Sequence, residues 1–232
     1  PRRPVAARVE PMRLGIDLGT TRTVVARVDR GNYPVLTFTD HDGDAHEHLP
    51  SVVARVGDTL VYGFAALTAA REGAPALRSF KRILGDPATT PHTVVEVGGL
   101  EMSIADLLAD FLTAVHAQVQ RALTEAGFTP SEIGVLEVEA SVPAHAHTTQ
   151  RYLTLEAFRR AGFHVLGLVN EPSAAGFEFS HRQTRALSSR RTQVLVYDLG
   201  GGTFDASLVQ AEGSSHEVVG SVGVNRLGGD DF

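Results

Sequence analysis

Leu14-Gly-Ile-Asp17-Leu-Gly-Thr-Thr-Arg-Thr-Val-Val-Ala-Arg-Val28 and Leu195-Val-Tyr-Asp198-Leu-Gly-Gly-Gly-Thr-Phe-Asp-Ala-Ser-Leu-Val209 follow one pattern. At a constant offset of 181 residues, Asp17-Leu-Gly falls on Asp198-Leu-Gly, with β-rich runs on either side. Each copy reads as a hairpin whose first strand ends in an Asp and whose turn is built from Gly and Thr. Two ordinary hairpins could share three residues; the matched flanks and Gly200-Gly201-Gly202 favour a duplicated phosphate-binding architecture. Such turns, facing each other across a cleft, would present backbone N–H groups to phosphate oxygens from both sides. Thr20, Thr21 and Thr203 would add hydroxyl donors. Bare Asp17 and Asp198 would repel a polyphosphate, so their expected role is to hold a hydrated Mg²⁺.

Around these hairpins strands and helices mix, the mark of an α/β protein. Val35–Phe38, Ser51–Val56 and Leu60–Tyr62 are short β-rich runs. In Ala74–Leu84 the spacing of Leu77, Phe80 and Leu84 predicts a helix. The best helical signal is Ser103–Ala126, with a Ser103-x-x-Asp106 cap, a stripe from Ile104 to Val119, and a stop at Gly127 and Pro130. In Val135–Val142, Leu136, Val138, Ala140 and Val142 face one way and Glu137 and Glu139 the other. A helix is expected over Thr148–Ala161, then an apolar run, Phe163–Val169, expected to be a strand covered on both faces. Pro172 suits the first turn of a further helix. Ser180–Thr192 reads as a loop or a helix end, and Val194–Tyr197, Phe204–Gln210 and Glu217–Val222 as strands. Residues 1–11 read as a flexible arm, and Asp230 and Asp231 as the first turn of a helix whose abrupt end marks a fragment.

Composition narrows the function. Of 232 residues, 43% are hydrophobic and 21% charged, ordinary globular usage that excludes collagen-like, coiled-coil and disordered readings. With 21 basic against 27 acidic residues the net charge is −6, which argues against nucleic-acid binding as the main activity. The absence of cysteine excludes disulfides, thiolate metal sites and cysteine nucleophiles. No apolar stretch reaches the about 18 residues of a membrane helix, and no secretory signal is present, so a cytoplasmic protein is expected. P-loop, dinucleotide and protein-kinase motifs are missing.

Gly15-Ile-Asp-Leu-Gly-Thr-Thr21, Phe80-Lys-Arg-Ile-Leu-Gly85, Val142-Pro-Ala144, Val169-Asn-Glu-Pro-Ser-Ala-Ala175, Asp198-Leu-Gly-Gly-Gly-Thr-Phe-Asp205 and Leu227-Gly-Gly-Asp-Asp-Phe232 resemble, in order and spacing, signatures of the heat-shock-70 (DnaK-type) chaperone ATPase domain. The resemblance implies an actin-like (ribonuclease H-like) α/β fold, with lobe I over residues 12–192 and the start of lobe II over 193–232. It implies ATP or ADP as ligand, with Mg²⁺ organised by Asp17 and Asp198 and a K⁺ touched by Asp205. Gly19, Thr20 and Thr21 would meet the phosphates from lobe I, and Gly200, Gly201 and Gly202 from lobe II. Lys81 would place its ammonium beside the γ-phosphate and the attacking water. Thr203 would orient either of them, Glu171 would sense the metal's water shell, and Pro143 with Arg151 would relay nucleotide state to the surface. Implied partners of the whole protein are unfolded peptides, a J-domain cochaperone and a nucleotide exchange factor, in a stress-response role. With most of lobe II absent, these 232 residues alone are expected to bind nucleotide weakly or not at all.

Four positions depart from that pattern. Arg22 stands where an aromatic or small polar residue is usual, His145-Ala146 replace an aromatic pair, and Gly167 stands where many relatives carry an Arg for J-domain partners. Two other classes share the superfold: an actin-like cytoskeletal ATPase of the bacterial shape-determining type, and a sugar or acetate kinase. Phe80–Gly85, Thr203–Asp205 and the terminal Leu-Gly-Gly-Asp-Asp-Phe favour the chaperone over the cytoskeletal class, and the kinase would need a second-substrate pocket that the sequence does not show. His41, His46 and His48 read as a polar turn rather than a metal cluster, and His145 and His147 as non-ligands.

Overall fold

The computed structural model describes residues 11–182, 192–212, 215–225 and 227–231. In chain order the first elements are β1 (Met12–Leu18), β2 (Arg22–Arg27), β3 (Phe38–Thr39), β4 (Ala45–His46), β5 (Leu49–Pro50), β6 (Val52–Val56) and β7 (Thr59–Tyr62). Next come α1 (Phe64–Arg71), β8 (Ala76–Arg78), a 3₁₀ helix (Phe80–Gly85), β9 (Val94–Val97), β10 (Leu100–Ser103), α2 (Ile104–Glu125) and α3 (Pro130–Ile133). The chain continues with β11 (Leu136–Val142), α4 (Thr148–Arg160), β12 (His164–Asn170), α5 (Glu171–Arg182), β13 (Gln193–Leu199), β14 (Thr203–Glu212), β15 (Ser215–Asn225) and a second 3₁₀ turn (Gly229–Asp231).

The first sheet has five strands in the order β12-β11-β1-β2-β5, with β1, β11 and β12 parallel and β2 and β5 antiparallel. Strict alternation along β1 buries Met12, Leu14, Ile16 and Leu18 and leaves Arg13, Gly15 and Asp17 on the open face. Asp17 therefore leaves the end of a central strand away from the core. The buried face packs on α2 and α4, whose Leu107, Phe111, Leu153 and Phe158 join the same apolar cluster. Each such side chain contributes about 1.5–3 kcal/mol by leaving water. The expected stripe of α2 is buried, and the Ser103 hydroxyl caps it by accepting the Asp106 N–H at 3.1 Å.

The second sheet, β13-β14-β15, is antiparallel, and α5 packs across it. Contact there is close enough that a Cβ on Gly176 would sit 3.2 Å from Val209. The duplication holds at the level of register. Asp17 pairs with Val24 in the first hairpin and Asp198 with Asp205 in the second, the same pairing carried along by 181 residues. On the face away from α5, Leu195, Tyr197, Leu199 and Val222 are exposed.

Three expectations need correction. Ala74–Leu84 is not a helix: β8 pairs with β6, Ser79 turns the chain at φ 54°, and a 3₁₀ helix follows. Phe80 and Leu84 are still buried, so the apolar spacing marks core contact and not helical period, and Pro75 suits a strand entry better than a helix interior. The run Phe163–Val169 is not covered on both faces. β12 is the sheet edge, and Leu166 is 48% exposed. Of Val35–Phe38, only Phe38 enters a strand, while Val35 bridges Ala26. Residues 1–10 of the expected 1–11 arm and most of Ser180–Thr192 lie outside the described residues, although α5 runs to Arg182. Among the described residues no helix is long and apolar enough to cross a membrane.

Candidate functional site

The two glycine turns meet. A Cβ on Gly201 would run into the side chain of Thr21, and one on Gly202 into Thr20 and Arg82. Glycine is required there because the second turn presses directly on the first. Between the sheets opens a cleft of ≈ 1060 Å³. It is lined by Asp17, Gly19, Thr20, Thr21, Lys81, Glu171, Asp198, Gly200, Gly201, Gly202 and Thr203, every expected metal, phosphate and catalytic position. Pro143 and Asp205 line it as well. Arg151 does not; it stands behind, joined by a chain of bonds. The Pro143 carbonyl accepts the Ala146 N–H at 3.0 Å, the Ala146 carbonyl accepts Arg151 Nε at 3.1 Å, and Arg151 Nη2 donates to Asn170 Oδ1 at 2.7 Å, next to Glu171.

At the floor, Lys81 Nζ donates to Glu171 Oε1 at 2.9 Å, with side chains only 11% and 17% exposed. Burial works against the Lys81 ammonium, but the carboxylates of Glu171, Asp17 and Asp198 outweigh it and hold Lys81 above its ordinary value. Burial likewise pushes the Glu171 acid up, with Asp17 and Asp198 adding to it and Lys81 opposing. Asp198 is raised by burial and by the charges of Asp17 and Asp205. Four carboxylates thus converge on one ammonium.

That donor set fits a divalent cation. Asp17 and Asp198 offer hard oxygen ligands from opposite hairpins, and a bound cation would relieve the repulsion by Asp17 that adds to burial in raising Asp198. The glycine turns fit phosphate for a matching reason, since they bring backbone to the cleft wall with no side chain in the way. Asp205, also raised by burial, has a buried Oδ1 with no hydrogen-bond partner, although His145 Nδ1 lies 3.2 Å from it as a potential ion pair.

Several contributors escaped sequence reasoning. Ser141 donates to Asp17 Oδ1 at 2.6 Å and aims that carboxylate; it stands on the face of β11 that carries Glu137 and Glu139, opposite the apolar positions. Ser51 donates to the Gly19 carbonyl at 2.9 Å and shares a buried contact with Thr23, so it fixes the first turn from below. Arg82 and His145, absent from the expected set, both face the cleft. Within the His41–His48 segment only residues 41–43 form a turn, in which Asp40 Oδ1 accepts the N–H groups of Asp42 and Asp44, whereas His46 lies in β4.

Comparison with known proteins agrees with this geometry. The family model described as Hsp70 protein matches residues 13–232. The chaperone protein HscA of Serratia proteamaculans is 37% identical over 228 residues, covering 94% of this chain and 36% of its own length. HscA of Salmonella agona is 38% identical over 237 residues with the same coverages. The chaperone protein DnaK of Mycoplasmopsis synoviae is 34% identical over 219 residues, which cover 94% of this chain and 33% of the DnaK. The chain thus spans about a third of the length of the curated relatives it matches. Sharing their sequence from the first hairpin onward and showing a mixed α/β architecture that suits the actin-like ATPase fold, the chain belongs to the Hsp70 family.

Proposed function

We propose that the chain binds ATP and contributes to its Mg²⁺-dependent hydrolysis as part of the ATPase domain of a DnaK-type chaperone, with residues 12–192 as lobe I and 193–232 as the start of lobe II of a ribonuclease H-like pair. The observation that carries this reading is the pair of hairpins in identical register, closing from opposite sides on a cleft with Lys81 and Glu171 at its floor.

The chemistry asked of such a site is mainly positioning and electrostatics. Gly19, Thr20 and Thr21 bind phosphate oxygens from lobe I, and Gly200, Gly201 and Gly202 from lobe II. Lys81 holds its ammonium against the terminal phosphate and the attacking water, where it offsets charge that builds in the transition state. Glu171 fixes that ammonium by the 2.9 Å bond and reads the water shell of the site. Thr203 orients the terminal phosphate or the water. Ser141 keeps the Asp17 carboxylate turned into the cleft. A Mg²⁺ held by Asp17 and Asp198 would neutralise charge on the phosphates. Asp205, whose buried Oδ1 has no hydrogen-bond partner and lies 3.2 Å from His145 Nδ1, would be the residue to hold a K⁺. The bonded path from Pro143 through Ala146 to Arg151 and Asn170 carries nucleotide state outward. In the whole protein this cycle governs the binding of unfolded peptides, with a J-domain cochaperone and an exchange factor as partners in the cytoplasm. Gly167, on the exposed edge strand β12, offers such a cochaperone no guanidinium.

Lys81→Ala, carried within a protein of the relatives' length, tests the reading. Calorimetric titration with Mg-ATP should change little, while single-turnover phosphate release falls by a few powers of ten. Unchanged turnover would remove Lys81 from this role.

A further inference from the structure

Lys81 bonds at the floor of the cleft, and the next residue, which also lines the cleft, bonds across it instead. Arg82 Nη2 and Nη1 donate to the two carboxylate oxygens of Asp231 at 2.7 and 3.1 Å, and Nη2 also reaches the Gly201 carbonyl at 3.3 Å. This is a fork-on-fork pair between residues 149 apart in sequence, with side chains only 27% and 24% exposed. Asp231 is itself oriented, because its Oδ2 accepts the Gly228 N–H at 2.9 Å. The turn that carries it lies directly on the phosphate turn. Gly229 donates to the Gly200 carbonyl at 2.9 Å, and a Cβ on Gly228 would strike the Gly201 backbone. Arg82 Nε is buried, has no partner, and stands where a Cβ on Gly202 would be.

We infer that Arg82 is a positioning residue that straps the second glycine turn to the first wall of the cleft through Asp231 and the Gly201 carbonyl, and so sets how long a nucleotide stays bound. Lys81 and Arg82 then divide the work of adjacent positions: one serves the reacting atoms, the other keeps the walls together. The unpartnered Nε is one more N–H facing the turn that receives anionic oxygens. An exposed single ion pair would contribute little. This one is two-pronged, shielded, and shared with a backbone carbonyl whose own residue touches the opposite turn.

The inference rests on the nucleotide reading of the same cleft, and the test separates the two. The probe is fluorescently labelled Mg-ADP, released in stopped flow against excess unlabelled ADP. Arg82→Gln and Asp231→Asn should each speed release about tenfold, and the double variant should be no more than about twofold faster than either. Arg82→Lys, which keeps the charge without the fork, should fall between. Hydrolysis of bound ATP in a single turnover should slow by a smaller factor than release accelerates. Release rates that do not move, or effects that multiply in the double variant, would overturn the strap. If the 232-residue chain holds no labelled nucleotide, amide exchange in the nucleotide-free chain decides. Residues 227–231 should exchange faster by the same factor in both single variants and no faster in the double; unaltered exchange would equally overturn it. Normal hydrolysis in Lys81→Ala with fast release in Arg82→Gln would defeat the catalytic reading and leave the strap in place.

Discussion

Replacing Lys81 by Met in the chain without nucleotide or Mg²⁺ isolates the charge balance at the floor of the cleft. The substitution keeps most of the volume and removes the ammonium that lies 2.9 Å from Glu171. Breaking a buried pair by deleting one partner costs about 3–5 kcal/mol, because the other charge stays behind. Here the abandoned carboxylate is 17% exposed and faces the charges of Asp17 and Asp198. Glu171 can escape by taking up a proton, and that fixes the sign of the pH effect. Its acid is already raised in the folded chain, with Lys81 opposing the shift, so loss of Lys81 raises it further. Between the ordinary glutamate value and the folded value, the native state then holds a proton that the unfolded state has lost. Stability falls as pH rises through that window, by up to about 1.4 kcal/mol per pH unit. The intact pair carries a smaller slope of the same sign, because Lys81 opposes the rise of the Glu171 acid; the raised Lys81 itself contributes stability that is present throughout neutral pH and lost only in alkali. We expect a penalty of roughly 3 kcal/mol at pH 7.5, or a loss of about 6–12 °C in Tm, shrinking to less than half at pH 5. Adding Glu171→Gln to Lys81→Met should recover most of it, since neither partner is then charged. Thermal melts followed by circular dichroism at the two pH values, on the two single variants and the double, make the measurement. An equal penalty at both pH values, or no recovery in the double variant, would refute the electrostatic account of the floor.

Two further outcomes follow from the packing. Gly201→Ala should force the turns apart, seen as faster amide exchange at Thr20–Arg22, and Thr21→Ala should relieve it by removing the two atoms nearest the new methyl; equal exchange in both backgrounds would count against direct contact. Burial holds the His116 imidazole, packed edge-on against Phe163 at 4.7 Å between ring centres, below its ordinary value. Its neutral form contributes stability above about pH 6.5 that is lost as pH falls through the folded value, so His116→Phe should lose less Tm between pH 7.5 and 5.5 than the parent does.

Much of the site could be read along the chain because it is encoded locally. A strand that must end in a carboxylate and turn without side chains has few spellings, and Asp17-Leu-Gly and Asp198-Leu-Gly are two of them. Once the offset of 181 residues is seen, the register follows, and with it the side of each sheet on which the Asp stands. The long α2 was equally plain, since its stripe, cap and stop all agree. The failures have one cause. Leu77, Phe80 and Leu84 have helical spacing, but their conformation answers to the edge of β6 and to Pro75, which the spacing ignores. The apolar run at β12 says that the strand is hydrophobic and not how many neighbours it has.

Hairpin chemistry and motif order therefore sufficed for the α/β class, the duplication and part of the cleft lining, Asp17, Lys81, Glu171, Asp198 and the glycine turns among it, though not for Arg82 or His145. Whether Ser141 would reach Asp17, whether Arg82 would find Asp231, and whether Lys81 would meet Glu171 rather than water depended on chain folding. Those partners are separated by 124, 149 and 90 residues, and their encounters are set by how strands and helices pack. Local pattern specifies what each turn can do; the distance across the cleft is a property of the packed core beneath it.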